Sequence, residues 1–347
     1  MPASVAHMLI AHKGLKKLQE NGDKGLVEFA AMIDKKGGPE KYRAYMNLGS
    51  IGPDLYYYNR PWKGFIEILK DGYVQAMGVT PWAYHLHSNR PNKFPLKLIQ
   101  ILFSDVEREG KKANFSVNDK RKLAYIAGHL SHIAADQIIH PLVNDIAGPY
   151  YTSGKNRETH REAEAYQDYF LYREVYRLER KKGPDYEFFE QRFNRWVDCV
   201  EGGLWRNSED WFRYFLQRGF IETYGTGPDE DEVEDSIDGV LTTFRFIKMG
   251  GPYKKADKEY KNEGANGPKF QKYVGKPKYL ERYSEAVELT KIYQTALYKV
   301  YRLLTDGEDF DKDRQKWFCD VVSGADLSCP LEEDILKKAK EALEEFA

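Results

Sequence analysis

The stretch from Leu123 to Pro141 constrains this chain more than any other. Its apolar residues Leu123, Ile126, Ala127, Leu130, Ile133, Ala134 and Ile138 recur at three- and four-residue intervals, the period of an α-helix. His132, Asp136 and His140 interrupt the pattern at four-residue steps, each of which advances only about 40° around a helix and leaves Cβ atoms about 5–6 Å apart. All three therefore share one face. The residues between them, Ile133, Ala134, Ala135, Ile138 and Ile139, are apolar, which predicts a helix buried nearly all round with its polar stripe inside. Buried polar groups need partners, and a metal ion satisfies several at once. The plainer alternative bonds His132 and His140 to carbonyls and pairs Asp136 with a lysine.

Burying such a helix takes a sizeable core, and 347 residues at 41% hydrophobic can supply one. Tyr279 to Leu304 repeats the helical period, Leu331 to Phe346 also reads as helix, and strand-like alternation is scarce, so the chain is expected to be all-α. Glycine and proline mark loops at Gly37-Gly38-Pro39, Gly49 to Pro53, Pro91 to Pro95, Gly148-Pro149 and Gly225 to Pro228. Two polar stretches read as surface excursions: the acidic run Asp229 to Asp238, and the Lys/Gly/Asn-rich run Gly250 to Lys278, whose apolar content is too low to pack. The expectation is one helical domain over 1–347, with a metal-binding half over about 1–175 and a helical C-terminal half over about 176–347 that carries the polar insertion 250–278. There is no internal repeat and no Gly-rich phosphate loop before a helix.

Several function classes drop out on composition. Fifty-three Lys and Arg balance 54 Asp and Glu, so no global field draws the chain to nucleic acid or to an anionic membrane. Cys199, Cys319 and Cys329 are an odd number with no CxxC pair, which argues against both a disulfide framework and a thiolate metal site. No run approaches the roughly 18 apolar residues of a membrane span. The first residues lack a basic leader, which predicts a cytoplasmic protein. The 25 tyrosines are expected between helices with hydroxyls at the surface, and Trp205, Trp211 and Trp317 in the core.

The eight histidines are placed unevenly: His7, His12, His85, His87, His129, His132, His140 and His160 all fall in the first 160 residues. Neutral imidazole is the commonest protein ligand for zinc, and catalytic zinc sites combine it with carboxylates. His160-Arg-Glu-Ala-Glu164 repeats the four-residue step after the break at Gly148-Pro149, with Asp168 continuing its face; alone it would be a common ion pair on a charged helix. Asp54 follows a Gly/Pro turn and precedes Leu55-Tyr56-Tyr57-Tyr58, where it reads equally as the N-cap of the next helix. His85 and His87 share one side if their segment is extended. His7 opens the apolar-periodic segment Met8 to Leu18.

Five stretches of the first half match a known pattern in its order: Met1 to His7, Gly52-Pro53-Asp54, Tyr84-His85-Leu86-His87, Gly128-His129-Leu130-Ser131-His132 through Asp136 to His140-Pro141, and His160 through Glu164 to Asp168. On these the chain resembles the zinc-dependent phospholipase C family, whose relatives include bacterial zinc phospholipases C, glycosylphosphatidylinositol-specific phospholipases D and, more distantly, zinc nucleases that cut single strands. The resemblance implies an all-helical fold with up to three zinc ions in a cleft. By position, Asp54, His87, His132 and Asp136 would hold one zinc and His140, His160 and Glu164 a second; His7 would hold a third with Asp136 shared. His12, His85 and His129 stay unassigned, His129 standing near the Asp136 face as an outer donor. Two departures stand out. Secreted phospholipases of the family use the processed N-terminus as a ligand, with the first histidine well downstream, whereas His7 follows closely on Pro2, whose nitrogen would need Met1 removed. The spacing from Asp136 to His140 is nearer that of the phospholipase D relatives.

The implied chemistry is hydrolysis of a phosphodiester, a phospholipid headgroup or another small one, by a metal-activated water that Asp54 orients or deprotonates. Three alternatives compete: a nuclease-like zinc phosphodiesterase; a non-catalytic helical protein with a closed metal shell; and a carboxylate-bridged di-iron bundle. The last would want four glutamates with Glu-x-x-His pairs, against which the histidine-rich set speaks.

Overall fold

The helix expected at the centre extends well past its apolar run: α7 spans Val117–Ala147. Ser116 starts it with a capping box, its hydroxyl accepting from the Asp119 amide while the Asp119 carboxylate accepts from the Ser116 N–H. Gly148, at φ 79°, ends it in a conformation that suits a residue without Cβ. The computed structural model describes residues 4–35, 39–58, 81–108, 110, 115–150, 152–177, 210–246, 251–327 and 334–346. Among the described residues every regular element is helical, as expected of an all-α chain.

Before the central helix come α1 (Ser4–Asn21), α2 (Lys24–Ile33), α3 (Tyr42–Ser50), the short α4 (Gly52–Leu55) with a 3₁₀ turn over Tyr56–Tyr58, α5 (Pro81–Ser88) and α6 (Lys93–Arg108). After it, α8 (Gly154–Phe170) runs into a π-helical turn over Leu171–Tyr176. Further on lie α9 (Asp210–Tyr224), α10 (Glu230–Phe246), α11 (Gly251–Glu263), α12 (Pro268–Tyr273), α13 (Lys276–Asp306), α14 (Lys312–Val321) and α15 (Ile335–Glu344).

Helix α7 is flanked chiefly by α3 and α13, with α1 bridging α7 and α13 and α8 returning along α7 after Gly148-Pro149. The crossing of α3 with α7 is a backbone contact. A Cβ on Gly128 would lie 2.0 Å from the Met46 carbonyl oxygen, and one on Gly49 would lie 2.0 Å from that of Tyr125. This closeness sets Ser50, and the short α4 with Asp54, against the polar stripe of α7. Gly49 therefore ends a packed helix and is no part of a loop.

Three readings of the sequence need correction. The polar insertion packs: Tyr253, Ala256, Phe270 and Tyr273 are buried, and α11 and α12 lie on α8. With Val274, these few residues suffice because tyrosine–carboxylate bonds hold the rest, Tyr166 to Glu259 at 3.0 Å and Tyr169 to Asp257 at 2.6 Å. The acidic run is also helical, with Val233 and Ile237 buried at the spacing of one helix face. Nor do the tyrosines keep their hydroxyls at the surface: Tyr45, Tyr56, Tyr125, Tyr166, Tyr169, Tyr172, Tyr253, Tyr279 and Tyr293 are all essentially inaccessible. No described helix is long and apolar enough to cross a membrane. Cys319 is a free thiol, Trp317 packs in the core, and Trp211 lies half-buried against it. Pro2, Cys199, Trp205, Cys329 and Leu331 lie outside the described residues.

Candidate metal centre

Five helices deliver the eight residues singled out from sequence. His7 comes from α1, Asp54 from α4, His87 from α5, His132, Asp136 and His140 from α7, and His160 and Glu164 from α8. All are buried except His140, which keeps 16% of its side chain exposed. Asp136 lies at their centre: its Oδ1 is 3.3 Å from Nε2 of both His7 and His140, and its Oδ2 is 3.1 Å from Nε2 of His132 and 3.6 Å from that of His87. Asp54 faces it, 3.2 Å from His87 Nε2 and 3.7 Å from the His132 ring. On the far side His160 Nε2 is 3.0 Å from Glu164 Oε1, which His140 Nε2 approaches at 3.4 Å.

These contacts sort into three groups whose ligand atoms lie within 4.8 Å of one another: His7, His132 and Asp136; Asp54, His87 and His132; and His140, His160 and Glu164. His132 is common to the first two. Asp54 is thus a member of the donor set; the N-cap alternative fails, since α4 has Ile51 at its N-cap.

Backbone carbonyls decide which way three of the rings present themselves. Nδ1 of His87 donates to the Ala83 carbonyl at 2.7 Å, Nδ1 of His132 to that of Ser50 at 3.0 Å, and Nδ1 of His140 to that of Leu327 at 3.2 Å. A carbonyl oxygen can only accept, so Nδ1 bears the hydrogen in each ring and the neutral ring aims the Nε2 lone pair inward. His87 Nε2 and His132 Nε2 then face each other at 3.3 Å, beside carboxylates that can only accept. Lone pairs converging on carboxylate oxygens in a buried space call for either protons or a cation. Buried Oδ2 atoms of Asp54 and Asp136 have no hydrogen-bond partner. A divalent ion meets that demand, so the residues present fit zinc.

The proton alternative leaves its mark on the metal-free charges. Burial opposes charging His132 and His140, yet Asp136 with Asp54 carries the first up to about 8, and Asp136 with Glu164 carries the second up to about 9. His7 goes the other way, pushed down to about 4 by burial with the His132 ring beside it. Burial would raise Asp136 and Glu164, but the surrounding imidazoles hold both well below the usual carboxylate range. Buried carboxylates so strongly favoured as anions are suited to a cation.

The remaining histidines separate cleanly. His85 sits in a helix and not in an extended segment, so it points away from His87 and stacks on Tyr224 at 4.9 Å. His12 bonds Asp34 at 2.8 Å and Asn47 at 3.0 Å, tying α1 to α3 and to the end of α2. His129 is fully buried behind His132 against Phe94, its ring nitrogens without a hydrogen-bond partner, so it is no outer donor in this arrangement. Asp168 continues the helix of Glu164 but turns to α1, accepting from the Val5 and Ala6 amides. The rings of Tyr57 and Tyr150 wall the two sides, 5.5 Å from His87 and 5.0 Å from His160.

A sequence model of the zinc-dependent phospholipase C family matches residues 6–213, which include every member of the three donor groups. The chain belongs to the zinc-dependent phospholipase C family. Membership implies zinc as the metal. No curated protein and no solved structure matches the chain. Beyond the part matched to the phospholipase C family, the segment 322–327 reaches back to the centre. The Leu327 N–H donates to the His87 carbonyl at 2.9 Å while its own carbonyl holds His140. Sequence reasoning missed Leu327, since a backbone contact leaves no mark on residue type.

Proposed function

We propose that this protein is a zinc-dependent phosphodiester hydrolase of the phospholipase C kind, acting on a phospholipid headgroup or a similar small phosphodiester. The observation that carries the reading is the inward aim of His87, His132 and His140, each ring fixed through Nδ1 so that Nε2 meets the carboxylates of Asp54, Asp136 and Glu164. Zinc in such a setting lowers the pKa of a bound water toward about 7 and neutralises phosphoryl oxygens. Two zinc sites are assigned: Asp54, His87, His132 and Asp136 for one, and His140, His160 and Glu164 for the other. A third, through His7 with Asp136 shared, completes the set.

Asp54 is the residue assigned to the attacking water. One carboxylate oxygen faces His87 and the other is buried without a hydrogen-bond partner, so the second can orient the water and accept its proton as the new P–O bond forms and the ester P–O bond breaks. Tyr57 and Tyr150 give the centre aromatic walls, and Arg161, buried beside them with its guanidinium 3.1 Å from the Tyr150 hydroxyl, adds a fixed positive charge suited to an anionic substrate.

The test is zinc analysis of the purified protein with turnover of phosphatidylcholine, phosphatidylinositol, bis-nitrophenyl phosphate and single-stranded DNA. Zinc present, phosphodiester cleaved, and kcat reduced about 10²- to 10⁴-fold in Asp54→Asn are the expected results. A protein without zinc, or full activity in His132→Ala, overturns the reading. Cleavage of DNA alone moves the substrate to the nuclease branch.

A further inference from the structure

His7 differs from its neighbours in the centre. The rings of His87, His132 and His140 are each fixed by a carbonyl at Nδ1, whereas Nδ1 of His7 is buried without a hydrogen-bond partner. Its ring stacks on that of His132 at 4.1 Å, 17° from parallel, a contact that leaves sliding and rotation in the plane open. What places Nε2 at 3.3 Å from Asp136 Oδ1 must therefore be the backbone of α1.

That backbone has an unusual anchor. Val5 and Ala6 lie in the first described turn of helix α1, and both of their amides donate to a side chain outside it. Asp168, fully buried on α8, accepts both: Val5 N–H to Oδ2 at 3.1 Å and Ala6 N–H to Oδ1 at 2.8 Å. The fork holds the residues immediately before His7 and places a carboxylate at the positive end of α1. Oδ2 also accepts from the Tyr253 hydroxyl at 2.6 Å, and Tyr253 is itself 2% exposed. Tyr253 lies on α11, beyond the residues matched to the family.

We propose that Asp168, oriented by Tyr253, is a positioning residue for the metal centre: by gripping the first turn of α1 it sets His7 at the group it forms with His132 and Asp136. This rests on the reading of His7 as a zinc ligand. Residues outside the family match thereby take part in filling the His7 position. Asp168 touches neither metal nor substrate; it acts through the Val5 and Ala6 amides alone.

The test measures zinc stoichiometry and affinity, by elemental analysis and chelator competition, on the full chain as wild type, Asp168→Ala, Asp168→Asn, Tyr253→Phe, His7→Ala and the His7→Ala/Asp168→Ala double variant. Asp168→Ala should weaken the zinc that His7→Ala weakens, about 10- to 100-fold, and leave the others at wild-type affinity. Asparagine, which keeps one acceptor oxygen, should restore part of the loss, and Tyr253→Phe should show a smaller loss at the same zinc. In the His7→Ala background Asp168→Ala should add nothing, because both act on one ligand. Amide exchange at Val5 and Ala6 should also quicken in metal-free Asp168→Ala and Tyr253→Phe. Wild-type zinc affinity in Asp168→Ala, additive losses in the double variant, or a Tyr253→Phe protein that loses every zinc equally would overturn the proposal. Wild-type protein that takes up no zinc would overturn the functional reading and this inference with it; zinc uptake that only His7 substitutions disturb would overturn this inference alone.

Discussion

The carbonyl oxygen of Leu327 holds Nδ1 of His140 at 3.2 Å, across 187 residues of chain. The peptide before it donates to the His87 carbonyl, so one residue steadies a member of each outer donor group. Its own position depends on Gln137, whose amide donates to the Ser323 carbonyl at 3.0 Å and whose oxygen accepts from Tyr293 at 2.7 Å. Replacing Gln137 with leucine leaves the Ser323 carbonyl without that donor and loosens the segment. The expected cost is about 1–3 kcal/mol of stability, with roughly 10-fold weaker zinc at the His140, His160 and Glu164 group. Denaturant melts and chelator competition check both; unchanged zinc affinity would show that the segment only covers the centre.

The contribution of His7, His132 and His140 to the stability of the metal-free protein should be greatest near pH 6.5. His132 and His140 keep their protons to about 8 and about 9, above the ordinary imidazole value, so the folded state binds protons that the unfolded state has lost. Their contribution is complete below about pH 6.5 and disappears as the pH rises through 8 and 9. His7 has the opposite sign: at about 4 it resists a proton that the unfolded chain takes up, so stability falls as the pH drops from 6.5 toward 4. Asp136 and Glu164, held low, add a further loss only below about pH 4.5, where the unfolded carboxylates take up protons that the folded ones refuse. Thermal melts of chelator-treated protein from pH 4 to 10 test the shape.

Zinc should reverse the alkaline limb. Ligation needs the unprotonated Nε2 of His132 and His140, both largely protonated at pH 7 in the metal-free protein. Loading at pH 7 should release close to two protons, falling toward none above about pH 9. Calorimetric titration in buffers of different ionisation heat reads that number, and no proton release at pH 7 would contradict the assignment of these two rings.

How far the sequence could be read follows from the kind of contact involved. His132, Asp136 and His140 were legible because one helix of known period fixes their mutual placement, and the apolar residues between them showed that the face is inside. His160 and Glu164 repeated the period. Asp54, His87 and His7 share no element with that helix, so the residues alone left Asp54 open as a cap, and the resemblance was needed to bring the three in. The polar run over 250–278 misled because its packing runs through tyrosine hydroxyls on carboxylates, which a count of apolar residues does not register. The same holds for Leu327 and the Asp168 anchor, where the working partner is backbone.

The crossing of α3 with α7 should tolerate no side chain at Gly128. A Cβ there meets the Met46 carbonyl oxygen at 2.0 Å and the Ser50 amide nitrogen at 2.6 Å, both backbone atoms that cannot rotate away. Gly128→Ala must push α3 off α7, and the Ser50 carbonyl that orients His132 moves with it. The expected loss is about 3 kcal/mol, the upper end for overpacking, with weaker zinc at both groups that use His132. Gly154→Ala, where the nearest atom to an added Cβ is 3.9 Å away, is the control and should leave stability within about 0.5 kcal/mol.

His132 and His160 should differ in how much zinc their loss removes. His132 belongs to two donor groups, with His7 and Asp136 on one side and with Asp54 and His87 on the other, while His160 belongs only to the group with His140 and Glu164. His132→Ala also leaves the Ser50 carbonyl without its donor and opens a cavity in a fully buried part of α7. It should therefore strip zinc from both groups that it serves and abolish turnover. His160→Ala should lose one zinc and leave the Asp54 group loaded, because neither His87 nor His132 contacts α8 through its Nε2. Elemental analysis of the two purified variants separates these outcomes. Equal zinc loss in both would mean that the groups fill only together, with Asp136, 3.3 Å from both His7 and His140, as the residue that couples them.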